Sequence, residues 1–383
     1  MIWTFQNWFF SLLFISLINC SACHLPITTQ GVATESKTQP LKANLQNLKG
    51  VYAIKPQKNE IPEYVFKSSD IDGIFLKYTW ADLEPKPGIY NWTNLDEEFE
   101  KTITHHKKVV LGISAGANSP EWLEHLGVPF ASFTEATRNF FGNCETYRLP
   151  TFWNPTFITR WQLFLKALHQ HLEQKPEYLN AITMVKMFGI NSQSDEIKLP
   201  QQEDVIKNDC KTSNQATLWS KLGYRPSHLI QTWLTNAAIV DKLFPHAFLG
   251  MAMVMPNTSF PNVDEQGKVV QGLSAATHQH LLDAAFNQFL GRLVVNSTAL
   301  REDGGTPPFV REAKKNGAII GFQLYGKFIH PACAKHCNQT ELTHAFDRGL
   351  SQGASFFEVF VKTLTSYPKA IKHVHQQLSV SKE

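Results

Sequence analysis

Two carboxylates stand out in this chain of 383 residues. Glu358 sits inside Phe356-Phe357-Glu358-Val359-Phe360, a run of aromatic and β-branched residues with strand character. A carboxylate is costly to bury in such a run unless something there needs it. Glu196 lies in the polar stretch Asn191-Ser-Gln-Ser-Asp195-Glu196, just after an apolar segment. Each has an ordinary explanation by itself: Glu358 as a core carboxylate paired with Lys77 or Arg292, Glu196 as a solvated loop residue. As a pair on two strand ends they suit glycosidic cleavage. One carboxyl protonates the leaving oxygen, and the other attacks or activates water. Asn191, Gln323 and Tyr325 also fall near strand ends, where they would orient sugar hydroxyls. Trp80, Trp122 and Trp153 are candidate stacking platforms for sugar faces, whereas Trp161 and Trp233 fall inside helices and read as core.

The elements that must position these residues repeat one unit. Within Ile71–Pro120, the short apolar run Ile74–Leu76 and the β-branched run Lys108–Ile113 flank Leu95–His105, whose charged and apolar residues follow helical spacing, with Asn94 as its cap. Strand, crossover helix and strand imply a parallel sheet. Gly50–Lys55 reads as an earlier strand, and Ala181–Ile190 as the fourth, after the amphipathic helix Phe157–Lys175. Four further strands are expected at Phe248–Met255, Arg292–Asn296, Ala318–Leu324 and Ser355–Val361. Helices at Ser227–Leu243, Thr277–Phe286, Pro308–Asn316 and Glu341–Gly349 alternate with them. Eight strands in regular alternation favour a (β/α)8 TIM barrel spanning residues 49–375, whose chemistry collects at the C-terminal strand ends. Leu123–Pro155 shows no periodicity, and Asn191–Thr217 reads as a long site-building loop.

Composition narrows the classes. Apolar residues make up 43% of the chain, enough for a large core. The 36 basic and 33 acidic residues leave a net charge of +3, and the basic ones are scattered, so a nucleic-acid partner is not expected. No glycine-rich phosphate fingerprint follows any strand, so neither a nucleotide nor another cofactor is expected. Ile2–Ile18 is an apolar run followed by Cys20-Ser-Ala-Cys23, which reads as a signal segment over residues 1–22, or as a lipoprotein signal or uncleaved anchor. A polar lead then occupies residues 23–48. The implied location is secreted or periplasmic, with a membrane anchor at the N-terminus as the variant. Four cysteines remain, and the pairings favoured are Cys144 with Cys210 and Cys333 with Cys337. The rival for the second pair is a metal site from His330, Cys333, His336 and Cys337, whose spacing matches no familiar zinc module.

One segment carries a resemblance. Trp80-Ala-Asp-Leu83-Glu84-Pro85-Lys-Pro-Gly88-Ile-Tyr90-Asn-Trp92 resembles the W-x-x-L-E-P-x-x-G-x-Y-x-W segment of barrel glycoside hydrolases similar to the family 42 β-galactosidases. Ser119–Trp122 and Leu149–Pro155 resemble later pieces of that pattern. The resemblance implies a retaining mechanism, with an acid/base Glu after the fourth strand and a nucleophilic Glu after the seventh. It also implies that Glu84 is structural. Glu196 matches the first role by position, without the Asn-Glu pair usual there. The second role has no match, since the seventh strand carries Gln323 and Glu358 lies on the eighth. Three readings stay open: a strand count off by one, a site rebuilt around Glu196 and Glu358, or a barrel that binds sugar without cutting it.

Overall fold

A computed structural model describes residues 48–56, 60–135, 144–186, 189–201, 205–207, 210–326 and 337–380. Eight strands are uninterruptedly apolar in most of their length, as strands covered on both faces must be. They are β1 (Gly50–Ile54), β2 (Gly73–Thr79), β3 (Lys108–Ser114), β4 (Ile182–Lys186), β5 (Phe248–Met253), β6 (Leu293–Leu300), β7 (Ile319–Leu324) and β8 (Ala354–Phe360). All neighbours pair in parallel and β8 closes on β1, so the sheet is a barrel without an edge. Each strand is followed by a helix: α1 (Glu63–Lys67), α2 (Thr93–Thr104), α3 (Pro155–Glu173), α4 (Pro226–Leu243), α5 (Leu273–Phe289), α6 (Pro308–Lys315), α7 (Gln339–Ser351) and α8 (Pro368–Val380). The expected (β/α)8 barrel is present. The eighth strand is the one that carries Glu358, so the strand count was not off by one.

Helix α3 shows how sequence fixes an outer element. Asn154 Oδ1 accepts from the Thr156 and Phe157 amides, and Pro155 occupies the first turn, where it loses no hydrogen bond. Phe157, Trp161, Phe164, Leu165, Leu168 and Leu172 then form the stripe that faces the barrel. Burying each such side chain contributes roughly 1.5–3 kcal/mol. Helix α2 departs from the sequence reading. It starts at Thr93, with Trp92 at the cap position, and Asn94 lies within the first turn rather than capping it. The reason is local: Asn91 Oδ1 accepts from the Thr93 amide, and Trp92 is fixed by stacking on Tyr90 and His171.

Leu123–Pro155 holds regular structure that the sequence reading missed. An antiparallel hairpin pairs Phe130–Glu135 with Glu145–Pro150, and a shorter one pairs Val205–Lys207 with Cys210–Thr212. The strands of both are short, and those of the first are largely exposed or half-buried, so no sustained alternation marks them. Cys144 and Cys210 form the expected disulfide and tie the two insertions together. Cys337 is also disulfide-bonded. Cys333, His330 and His336 lie outside the described residues, as do the apolar N-terminal run and Cys20–Cys23. No described helix is long and apolar enough to cross a membrane.

The barrel interior is built in layers from alternate strands, as in other barrels of this kind. Phe75, Met184, Val294 and Phe356, from β2, β4, β6 and β8, share the apolar lower layer with Tyr52, Val110 and Phe248. Two residues further along the same four strands come Lys77, Lys186, Asn296 and Glu358. The core therefore changes from apolar to charged one step below the mouth. The intervening strands make room for the long side chains with glycine: a Cβ on Gly250 would fall 2.5 Å from Lys186 Cγ.

Candidate functional site at the barrel mouth

The charged layer begins with Glu358. Neither it nor Lys186 has accessible side-chain surface, and Lys186 Nζ donates to Glu358 Oε1 at 2.9 Å and Oε2 at 2.8 Å. Asn296 Nδ2 donates to Oε2 at 2.8 Å. Burial pushes the Glu358 carboxyl above its ordinary range, against the pull of Lys186 and Asn296. The partner is thus neither of the cations expected from sequence: Lys77 binds Asp195, and Arg292 binds Asp241 at 2.9 Å outside the barrel. Lys186 escaped notice because a lysine closing a buried strand resembles an edge residue until the opposite strand is known. Its ammonium also lies 4.3 Å from the Phe75 ring centre, the bottom layer's aromatic face.

Asp195 forms the second half of the layer. The Lys77 ammonium donates to its Oδ1, and Oδ2 is buried without a hydrogen-bond partner among the described residues. Burial alone would raise the Asp195 carboxyl, but Lys77 and Lys186 outweigh it and hold it below the usual carboxylate range. Conversely, burial works to lower the Lys77 ammonium, and the fields of Asp195, Glu196 and Glu358 raise it above the usual lysine value. Asp195 is the carboxylate in contact with this ammonium, and Glu196 and Glu358 add to its field from further away.

The segment after β4 is clamped from both sides, which is what places Asp195 and Glu196. Asn191 accepts from the Ala115 amide at 3.2 Å and donates to Ser114 Oγ and the Ser194 carbonyl. Gly116, at φ 48°, lies so close to the Asn191 and Ser192 carbonyls that a side chain could not fit. On the other side, the Ile197 amide donates to Ala252 O at 3.0 Å and the Leu199 amide to Ser259 O at 2.8 Å. Glu196 emerges half-buried between these anchors.

The remaining residues singled out from sequence divide by position. Gln323 lies beside Glu358 in the β7–β8 register, and its Oε1 is buried without a partner among the described residues. Tyr325 is partly exposed at the mouth, with the Arg301 guanidinium 5.6 Å from its ring centre. Asn191 is wholly buried and spends its amide on the loop. Trp80 is wholly buried, edge-on to Trp161 at 5.0 Å, and donates to Glu84 Oε2. Trp122 is half-buried under Arg160, and Trp153 packs against Trp219 and Tyr224 while donating to Leu222 O. Glu84 has no exposed surface and is held by Trp80, the Gly88 amide and Arg160, a structural role like that implied by the resemblance. Among the described residues no cluster of His, Cys, Asp and Glu has the geometry of a metal site.

Residues 65–212 match the glycoside hydrolase family 42 β-galactosidase pattern. The chain is a (β/α)8 barrel that resembles the family 42 glycoside hydrolases. The matched span covers the Trp80–Trp92 segment, β3 and the loop bearing Asp195 and Glu196, and it ends before β5. The catalytic domain of a β-amylase from Paenibacillus polymyxa superimposes with a TM-score of 0.56 at 14% identity, over 87% of this chain and 99% of that one. An intracellular xylanase from Thermoanaerobacterium saccharolyticum, solved with xylotetraose, aligns at a TM-score of 0.47 and 10% identity, over 85% and 88% of the two chains. None of the curated proteins matches the chain. At such identities the likeness is one of fold.

Proposed function

We propose that the chain is an exported glycoside hydrolase that cleaves O-glycosidic bonds of an oligosaccharide or polysaccharide at the C-terminal mouth of its barrel. The observation that carries this is the Lys77–Asp195 ion pair next to Glu196 at the barrel mouth, all three residues lying within the segment that matches the family 42 pattern. Glycosidic cleavage needs one protonated and one ionised carboxyl. Glu196, half-buried in the loop, is the proton donor to the leaving oxygen. Asp195, held ionised by two lysines and with its buried Oδ2 unpartnered among the described residues, is suited to act as nucleophile or to activate water once substrate or water reaches it. Glu358 could take that second role only after Lys186 and Asn296 release it, since both its oxygens are occupied. In the arrangement described, it fixes Lys186 and so helps keep Asp195 charged. Export agrees with the Cys144–Cys210 disulfide, a bond that persists in oxidising compartments.

The test is hydrolysis of a panel of aryl glycosides and polysaccharides by the wild type and by Glu196→Gln, Asp195→Asn and Glu358→Gln. Loss in the first two with partial retention in the third supports the roles given. Full activity in Asp195→Asn and none in Glu358→Gln would return the second role to Glu358. Gln323 at the seventh strand and the sealed Glu358 favour one other reading, a barrel that binds sugar without cutting it. Saccharide binding with no turnover on any substrate would select that reading.

A further inference from the structure

The outer surface of the barrel carries a cavity of about 380 Å³ between α6 and α7, which shares no residue with the Asp195–Glu196 centre. Val310 is the apolar part of its wall, and the rest is polar or cationic. Arg311 and Lys314 lie three positions apart on one face of α6, and Arg348 belongs to the last turn of α7. Arg311 Nη1 donates to the Thr306 carbonyl at 2.5 Å and Arg348 Nη1 to the Glu302 carbonyl at 3.0 Å, so each guanidinium is held by one nitrogen. Among the described residues, none of the three cations takes part in an ion pair and no carboxylate lines the cavity. The carboxylates beside them in sequence are engaged elsewhere: Glu312 accepts from Asn316 at 3.0 Å, and Asp347 pairs with His373 at 2.6 Å.

Gln352, just after α7, is an independent sign of a ligand. It is 9% exposed, it lines the same cavity, and its Oε1 is buried without a partner among the described residues. A buried acceptor left unmet is costly, and a hydroxyl on a ligand answers it. The negative end of α7 is capped within the chain, since the Gln352 backbone amide donates to the Arg348 and Gly349 carbonyls. Charge and size then select the occupant. A phosphate monoester carries about −1.5 to −2 charge near neutral pH and brings three strong acceptor oxygens, so it offsets the three cations better than a carboxylate does. Guanidinium forks match phosphate oxygens in pairs, and lysine adds a point charge. The volume falls within the range of small-molecule sites, about 300–1,000 Å³, so there is room for more than the phosphate alone.

We infer that this cavity binds a small hydroxylated phosphate monoester: Arg311, Lys314 and Arg348 take the phosphate, and Gln352 takes a hydroxyl of the remainder. The inference does not rest on the reading of the barrel mouth. Isothermal titration calorimetry of the full chain with glycerol phosphate tests it, with glycerate and inorganic sulfate as comparisons. Arg311→Gln and Lys314→Gln each remove a charge from an exposed position, and Gln352→Leu removes the unmet amide. Lys315→Gln is the control, because it removes a charge from the same helix outside the cavity. The expected result is tighter binding of glycerol phosphate than of glycerate or sulfate, weakened about tenfold in Arg311→Gln and Lys314→Gln and about threefold in Gln352→Leu. Lys315→Gln should stay within about twofold of the wild type, as suits an exposed charge with no contact to the ligand. No binding of glycerol phosphate, tighter binding of glycerate or sulfate, or no effect of Gln352→Leu would overturn the inference. So would equal weakening in Lys315→Gln, which would mean a diffuse positive field rather than a site.

Discussion

Replacing Glu358 by Ala tests the charged layer directly. Lys186 and Glu358 have no accessible side-chain surface, and two contacts of 2.8 and 2.9 Å join them. Removing the carboxylate takes away the ammonium's hydrogen-bonded counter-charge in the barrel interior and leaves it the Phe75 ring at 4.3 Å and the more distant field of Asp195, which Lys77 already pairs. A cation over an aromatic face is worth about 2 kcal/mol at best when desolvated. Breaking a buried pair from one side typically costs about 3–5 kcal/mol, because the remaining charge has lost its counter-charge. The same argument makes Lys186→Met combined with Glu358→Leu far milder, since apolar replacement of a whole buried pair is often neutral or stabilising. Equilibrium urea unfolding at pH 7, followed by tryptophan fluorescence, measures both; the chain has 9 tryptophans to report on it. The single variant should lose about 3–5 kcal/mol, and the double variant should recover at least 2 kcal/mol of that loss. Equal destabilisation in the two variants would refute the reasoning, because it would mean that packing volume, not stranded charge, sets the cost.

Three other outcomes follow from the geometry. His278 is buried in α5, and burial lowers its pKa from 6.5 to about 4. The unfolded chain therefore binds the extra proton first, and stability falls as pH drops from about 6.5 toward 4, by up to roughly 3 kcal/mol from this group; His278→Gln should flatten that part of the stability–pH profile measured by urea unfolding. Asn154→Ala should cost about 1 kcal/mol in the same assay, because the Thr156 and Phe157 amides lose their acceptor. Reducing the Cys144–Cys210 bond, which spans 66 residues, should lower stability by about 2–4 kcal/mol, seen as an earlier urea midpoint under reductant.

The sequence by itself determined the barrel. Strand and helix periods are local properties, and eight alternations of buried strand and striped helix admit few other closed arrangements. The disulfide Cys144–Cys210 and the core placement of Trp161 and Trp233 were legible for related reasons, since count and periodicity bear on them directly. The Trp80–Trp92 segment was legible as a motif, and its Glu84 is held by contacts largely within that segment.

What tertiary structure decided is which residues meet across the barrel. Lys186 and Glu358 are 172 positions apart, and Lys77 and Asp195 are 118 apart. No local period records those distances. They arise because closure brings alternate strands to one level, so a lysine on β4 faces a glutamate on β8. The same closure determined that Glu358 lies sealed under the mouth with both oxygens paired, and that Asp195, unremarkable beside Glu196 in sequence, is buried with Oδ2 unpartnered among the described residues. Charges separated along the chain acquire their roles from burial and from their partners, and both are properties of the closed barrel rather than of any segment.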